Sequence, residues 1–94
     1  MAICYPVILE KGDTSYGSYV PDIPGCIAVG DTPEETLKLM QEALQKHLDL
    51  MQRDGEIIPY PSPISSIVYD QQTESVHKVN VELQYKNILR QPFE

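Results

Sequence analysis

The stretch that most constrains the fold of this chain is residues 30–55, GDTPEETLKLMQEALQKHLDLMQRDG, because it carries both the start and the stop signals of one long helix. Thr32 is a preferred N-cap residue, Pro33 suits the first helical position, and Glu35 has the spacing of a capping box. Gly55 can adopt the positive φ that often follows a helix. The pattern predicts a helix of about 33 Å, at 1.5 Å per residue.

The predicted helix is amphipathic, with an apolar arc wide enough for two packing surfaces. Its members form a narrow stripe, Leu37, Met40, Leu44, Leu48 and Met51, and beside it a shoulder, Leu39, Ala43 and Leu50. Together they span about half of the circumference, whereas one packing surface usually needs roughly 100°. We therefore expect the stripe to pack on a sheet. The shoulder is expected to contact either the proline-rich segment that follows or a second subunit.

Composition and charge indicate one acidic globular domain. Fourteen acidic residues against seven basic ones give a net charge of -7. Because a nucleic-acid binder needs clustered cations, we expect no direct nucleic-acid binding and favour a basic protein partner. There is no apolar run long enough to span a membrane and no signal-peptide pattern, so we expect a cytoplasmic protein without membrane contact. Two cysteines are too few for a disulfide scaffold.

Four strands are predicted around the helix. Alternating apolar residues and turn signals place them at residues 2–10, 15–21, 26–30 and 76–85. Since a crossover through a helix usually returns parallel to an earlier strand, the predicted fold class is α+β with element order β-β-β-α-β. The four-stranded mixed sheet has the order 3-2-1-4 and the long helix on one face. Residues 1–85 are predicted to form a single domain, and residues 86–94 a C-terminal tail.

Catalytic chemistry is not expected from these residues. The element order is that of the front half of a ribonuclease H-like nuclease, whose two metal ions need a carboxylate from the middle of the first strand. Residues 2–9 contain no acid, and neither His47 nor His77 belongs to a recognisable catalytic motif. We therefore predict a protein that is not an enzyme, with no catalytic residue, no metal site and no cofactor.

Two neighbouring motifs carry a family resemblance. PDIPGC at residues 21–26, followed by GDTPEE at residues 30–35, resembles the HicB antitoxin family, and the similarity extends from YPVILEK at residues 5–11 to residues 54–63. The resemblance implies a degraded ribonuclease H-like domain that binds and neutralises HicA, a small basic toxin that cleaves messenger RNA. It also implies homodimers or higher homo-oligomers. Many family members carry a C-terminal DNA-binding segment, and the nine residues after Tyr85 suggest a short form without one.

Partner contacts are expected on exposed acids near the PDIPGC turn and the helix start. Charge and exposure select Asp22, Glu34 and Glu35, with Tyr19 as an apolar neighbour, as the partner-binding residues. We expect the capped N-terminus of the helix to lie beside the PDIPGC turn. The alternative is a stand-alone ligand-binding or homo-oligomeric regulatory domain with no toxin partner.

Overall fold

A computed structural model describes residues 1–83 of the chain. Its elements, in chain order, are β1 (Ala2–Lys11), β2 (Tyr16–Tyr19), β3 (Ile27–Gly30), α1 (Pro33–Arg53), a 3-10 turn (Ile64–Ser66) and β4 (Glu74–Glu82). The strands form one sheet in the order β3-β2-β1-β4, which confirms the predicted strand order and the α+β class. Tyr85, the predicted end of both the last strand and the domain, lies outside the described residues, as does the predicted tail at 86–94.

The sheet is antiparallel throughout, so the prediction of a mixed sheet is wrong. β4 pairs antiparallel with β1, from Glu82 opposite Ala2 to Glu74 opposite Glu10. The reason lies in the connection after α1. Residues 54–73 contain no further α-helix or strand and run back along the molecule before β4 begins. The chain thus crosses the sheet twice between β3 and β4, and the second crossing reverses the direction that the helix alone would give.

The start of α1 is fixed by the predicted capping residues. The Thr32 hydroxyl accepts a hydrogen bond from the Glu35 N–H at 3.0 Å, and the Glu35 carboxylate accepts one from the Asp31 N–H at 2.8 Å. In a standard capping box this carboxylate would bond to the N–H of the N-cap itself. Here Glu35 bonds instead to Asp31, the residue before the N-cap. A Cβ atom at Gly30 would lie 2.7 Å from the Thr36 hydroxyl, so the joint between β3 and α1 has room only for glycine.

The core lies between α1 and one face of the sheet. From the apolar stripe, Met40, Leu44 and Leu48 are fully buried, and Leu37 and Met51 pack at its margin. The sheet supplies side chains that alternate towards the helix on its two central strands, Tyr5, Val7, Val79 and Val81. Apolar residues that repeat about every 3.6 positions in the helix thus pack against apolar residues that repeat every second position in the strands. This confirms the prediction that the helix covers one face of the sheet.

The proline-rich segment after α1 closes one side of this core. Ile58 is fully buried, and the Tyr5 hydroxyl donates a hydrogen bond to the Pro59 carbonyl at 2.6 Å. The segment covers the shoulder of α1 only in part, because Leu39 and Leu50 remain 40% and 48% exposed. The helix therefore keeps an apolar strip at the surface.

Side chains of α1 also close one edge of the sheet. The Gln41 side chain donates to the Asn80 carbonyl at 3.1 Å. The Gln45 side chain donates to the Glu82 carbonyl and accepts from the Glu82 N–H, both at 2.9 Å. These amides occupy backbone groups of β4 that an additional strand would otherwise pair with.

Thr32→Ala is expected to lower the free energy of unfolding by about 1 kcal/mol, because the Glu35 N–H loses its acceptor. Urea denaturation followed by circular dichroism measures the change. Thr32→Ser keeps the hydroxyl and serves as the control, with stability close to that of the parent. Equal stability of Thr32→Ala and the parent would contradict the role assigned to the cap.

Candidate functional site

The PDIPGC motif folds into two successive β-turns. The Ile23 N–H donates to the Val20 carbonyl at 3.1 Å, and the Cys26 N–H donates to the Ile23 carbonyl at 3.3 Å. Ile23 is buried in the core and anchors both turns. Pro24 and Gly25 occupy the centre of the second turn, where Gly25 has a φ of 87°, the arrangement that favours a Pro-Gly type II turn. The motif is thus a rigid connection between β2 and β3.

Asp22 ties this turn to the proline-rich segment. Its carboxylate accepts two hydrogen bonds from Ser62, from the N–H at 2.8 Å and from the hydroxyl at 2.6 Å. Burial raises the pKa of Tyr5 to about 12, and the negative charge of Asp22 contributes in the same direction. Asp22 was selected from the sequence as an exposed partner contact, but its carboxylate is half-buried and engaged within the chain.

The structure separates the predicted contact residues into two groups. Tyr19 lies opposite Ile27, whereas Tyr16 lies opposite Gly30, so the PDIPGC turn and the helix start are at opposite ends of β3. At about 3.3 Å per residue, the four residues of β3 place these ends about 13 Å apart. The expectation that the helix N-terminus lies beside the PDIPGC turn is therefore wrong. β3 itself runs from the turn to the helix and keeps them apart.

The turn packs instead beside the second half of α1. There it borders a cleft of about 210 Å³, lined by Asp22, Ile23, Pro24, His47, Met51, Glu56 and Pro59. Glu34 and Glu35 lie at the other end, exposed in the first turn of α1, where the Glu35 carboxylate is part of the cap. The four predicted residues thus form two pairs, Tyr19 and Asp22 at one end of β3 and Glu34 and Glu35 at the other.

The face of the sheet turned away from α1, here called the open face, is exposed in part: Ile8 on the central strand β1 is only 2% exposed, whereas the β3 end lies at the surface. Residues opposite one another in register form two rows across it: Ile27, Tyr19, Ile8 and Val76, and beside them Val29, Gly17, Glu10 and Glu74. Ile27 and Val29 are 67% and 61% exposed, and Tyr19 is 39% exposed. A four-residue alternation in the sequence does not show which face of this strand is buried.

The second row combines an empty position with a pair of like charges. Nothing lies within 4 Å of a Cβ atom built on Gly17, so the surface dips between Val29 and Glu10. Glu10 and Glu74 lie opposite each other in register, and one carboxylate oxygen of Glu74 accepts a hydrogen bond from the Asp70 N–H at 2.8 Å. The pKa of the Tyr19 hydroxyl is raised by burial and by the charges of Glu74 and Glu10. Lys78, a basic residue on the same face, lies two rows away from Glu10 and Glu74.

Residues 1–83 do not form a metal-ion site. No group of three His, Cys, Asp or Glu side chains within residues 1–83 is arranged to hold one. His77 faces the helix side of the sheet, and its Nε2 lies 2.7 Å from the Ser75 hydroxyl, so these two half-buried polar groups satisfy each other. Across the same residues, no helix has the length and apolar character needed to cross a membrane.

Comparisons with known proteins agree on one family. A model described as "HicB_like antitoxin of bacterial toxin-antitoxin system" matches residues 5–92. An uncharacterised 14.9 kDa protein of Haemophilus phage HP1 is 38% identical over 64 residues, which cover 68% of this chain and 48% of the relative. Antitoxin HicB 2 of Photorhabdus laumondii is 41% identical over 58 residues, 62% of this chain and 42% of the relative. The chain thus spans less than half the length of these two relatives.

A solved structure shows the same fold. A chain from a HicA3 and HicB3 toxin-antitoxin complex superposes with a TM-score of 0.70 at 23% identity, over 86% of this chain and all of that chain. At 23% identity this similarity establishes the shared fold alone.

Asp22→Ala is expected to lower the free energy of unfolding by about 1–3 kcal/mol, because the Ser62 N–H and hydroxyl lose a charged acceptor. The proline-rich segment should also be cleaved faster by protease. Chemical denaturation and mass spectrometry of the cleavage products measure the two effects. Asp13→Ala, in an exposed turn, is the control for loss of one negative charge. Unchanged stability and unchanged cleavage in Asp22→Ala would show that the tether contributes nothing.

Tyr5 is expected to make stability fall at high pH. Its pKa is raised from 10.0 to about 12 in the folded chain, so the protonated form is favoured by folding. The corresponding stabilisation is complete below pH 10 and is lost as the pH rises towards 12. Tyr5→Phe should remove this part of the slope when unfolding is measured across that range. Tyr60→Phe, at an exposed position, should keep it.

Proposed function

Because the chain belongs to the HicB-like antitoxin family of bacterial toxin-antitoxin systems, we propose that it binds and neutralises a small basic HicA-type toxin that cleaves messenger RNA. The observation that carries this proposal is the family match over residues 5–92. The structural neighbour solved in a HicA3 and HicB3 complex supports the same partner class.

Charge supports a basic protein as the partner. The net charge of -7 attracts a cationic protein over long range and repels the phosphates of a nucleic acid. The open face adds local complementarity, because the carboxylates of Glu10 and Glu74 lie opposite each other in register and attract a cationic side chain. A toxin that binds RNA is itself expected to present such cations.

The proposed action is occlusion of the toxin, without chemistry by this chain. A ribonuclease H-like nuclease needs a carboxylate in the middle of its first strand. In β1 the central positions are held by Tyr5, Pro6 and Val7, all buried. Two of them, Tyr5 and Val7, belong to the hydrophobic core. The place of a metal ligand is thus used for packing, which supports a binding role.

The ligand-binding alternative has weaker support. The cleft beside the PDIPGC turn measures about 210 Å³, below the roughly 300–1,000 Å³ of typical small-molecule sites. A depression of about 340 Å³ lies along α1, but the Gln41 and Gln45 side chains in its wall are already bonded to β4. Neither concavity combines an apolar lining with convergent free polar groups.

Self-association is a second part of the proposal. Leu39 and Leu50 of the α1 shoulder remain exposed, and such a strip favours contact with another apolar surface. Light scattering on the purified chain measures the oligomeric state, and Leu39→Lys is the variant expected to reduce it. A dimer suits both an antitoxin and a regulatory domain, so this result does not decide between them.

The decisive experiment pairs the chain with its toxin. The small basic protein encoded beside it should arrest growth when produced alone, and co-production of this chain should restore growth. The two purified proteins should elute together, with an affinity that falls as ionic strength rises, since opposite charges drive their association. Absence of both rescue and co-elution would sink the proposal.

A further inference from the structure

The two edges of the sheet differ in a way that selects one of them for binding. β4 lies at one edge, and its backbone groups at Asn80 and Glu82 are occupied by Gln41 and Gln45. β3 lies at the other edge and pairs only with β2 among the described residues. Unpaired edges are places where another chain can add a strand, and proteins usually protect them with charge, proline or cover. Ile27–Gly30 contains no charged residue and no proline, and its Ile27 and Val29 side chains are exposed.

The side chains of β3 extend this edge onto the open face. Ile27 and Val29 project there and are 67% and 61% exposed. Ile27 lies beside Tyr19 of the neighbouring strand, whereas Val29 lies beside Gly17, which leaves the space above it empty. With strands about 4.8 Å apart, the Glu10 backbone lies roughly 10 Å from that of Val29. A strand added outside β3 lies one spacing further out, about 14 Å from the Glu10 backbone, so an extended lysine or arginine meets the Glu10 carboxylate only when both side chains reach across Gly17.

We infer that the toxin docks by adding a strand to the β3 edge, with apolar side chains against Ile27 and Val29 and a lysine or arginine crossing Gly17 towards Glu10. This inference rests on the proposed function and specifies its binding surface. Backbone hydrogen bonds then supply register, and the side chains of alternate positions supply specificity. The cation is attracted by the Glu10 carboxylate.

Charge favours a basic partner at this edge over a second copy of the chain. Each copy carries a net charge of -7, so two copies repel each other before any strand pairs. Asp31 follows directly on β3 in both copies and adds to this repulsion. A cationic strand meets attraction from the same groups.

Hydrogen exchange of the complete chain, alone and with the purified neighbouring toxin, tests the inference directly. The amides of Ile27–Gly30 should exchange rapidly in the free chain and become protected in the complex. The amides of β4 should gain less protection on toxin binding, or none, because Gln41 and Gln45 already bond to part of its edge. This measurement needs no substitution and so does not depend on any variant folding.

Substitutions test the side-chain contacts. Ile27→Lys and Val29→Lys should each weaken toxin binding at least tenfold, because they remove apolar contact and place a like charge against the basic strand. Val68→Lys introduces the same charge at a 92% exposed apolar position outside β3, and should leave affinity nearly unchanged. The double variant Glu10→Gln, Glu74→Gln should reduce the salt dependence of binding while protection of β3 persists.

Two results would overturn the inference while leaving the proposed function intact. In the first, the toxin binds and growth is rescued, yet the β3 amides gain no protection. In the second, these amides are already protected in the free chain, which would mean that a second copy or another element holds the edge. If Val68→Lys weakened toxin binding as much as Ile27→Lys does, the loss of affinity would follow from net charge alone, and this result would also contradict the inference. Failure of the toxin to bind at all would instead remove the proposed function.

Discussion

The packing of the α1 stripe on one face of the sheet is the interaction on which the other features depend. Met40, Leu44 and Leu48 are buried against Tyr5, Val7, Val79 and Val81, and this contact fixes the rotation of the helix about its axis. The same rotation directs Gln41 and Gln45 to the β4 edge. Among residues 1–83 it also leaves the opposite face of the sheet without a helix, and Ile27 and Val29 are exposed there.

Local patterns predicted the elements, and long-range contacts decided what the patterns left open. Thr32, Pro33 and Glu35 located the helix start because capping is a matter of a few adjacent residues. The direction of β4 depended on residues 54–73, whose return path has no periodic signal in the sequence. The bonds between Asp22 and Ser62 join residues 40 positions apart, and no spacing rule announces them. Distance along the chain, more than composition, therefore separates what was predictable from what was not.

The candidate site shows the same division. Exposure and charge are properties that a sequence suggests residue by residue, and they pointed to Asp22, Glu34 and Glu35. The structure engages Asp22 and Glu35 in bonds within the chain and places Glu34 at the far end of β3 from the PDIPGC turn. Strand register instead assembles Glu10 and Glu74 from the two ends of the domain. That pairing became visible only with the sheet, although the family motifs had already indicated the kind of partner.

The glutamine cover on β4 has a consequence for stoichiometry. A sheet with two free edges can accept a strand on each side, and repeated head-to-tail addition then grows into open-ended polymers. In this molecule the amides of Gln41 and Gln45 terminate the sheet at Asn80 and Glu82. At these two residues β4 cannot pair with a further strand, so head-to-tail addition through this part of the edge is blocked. Two side chains on a helix thus favour complexes of defined size.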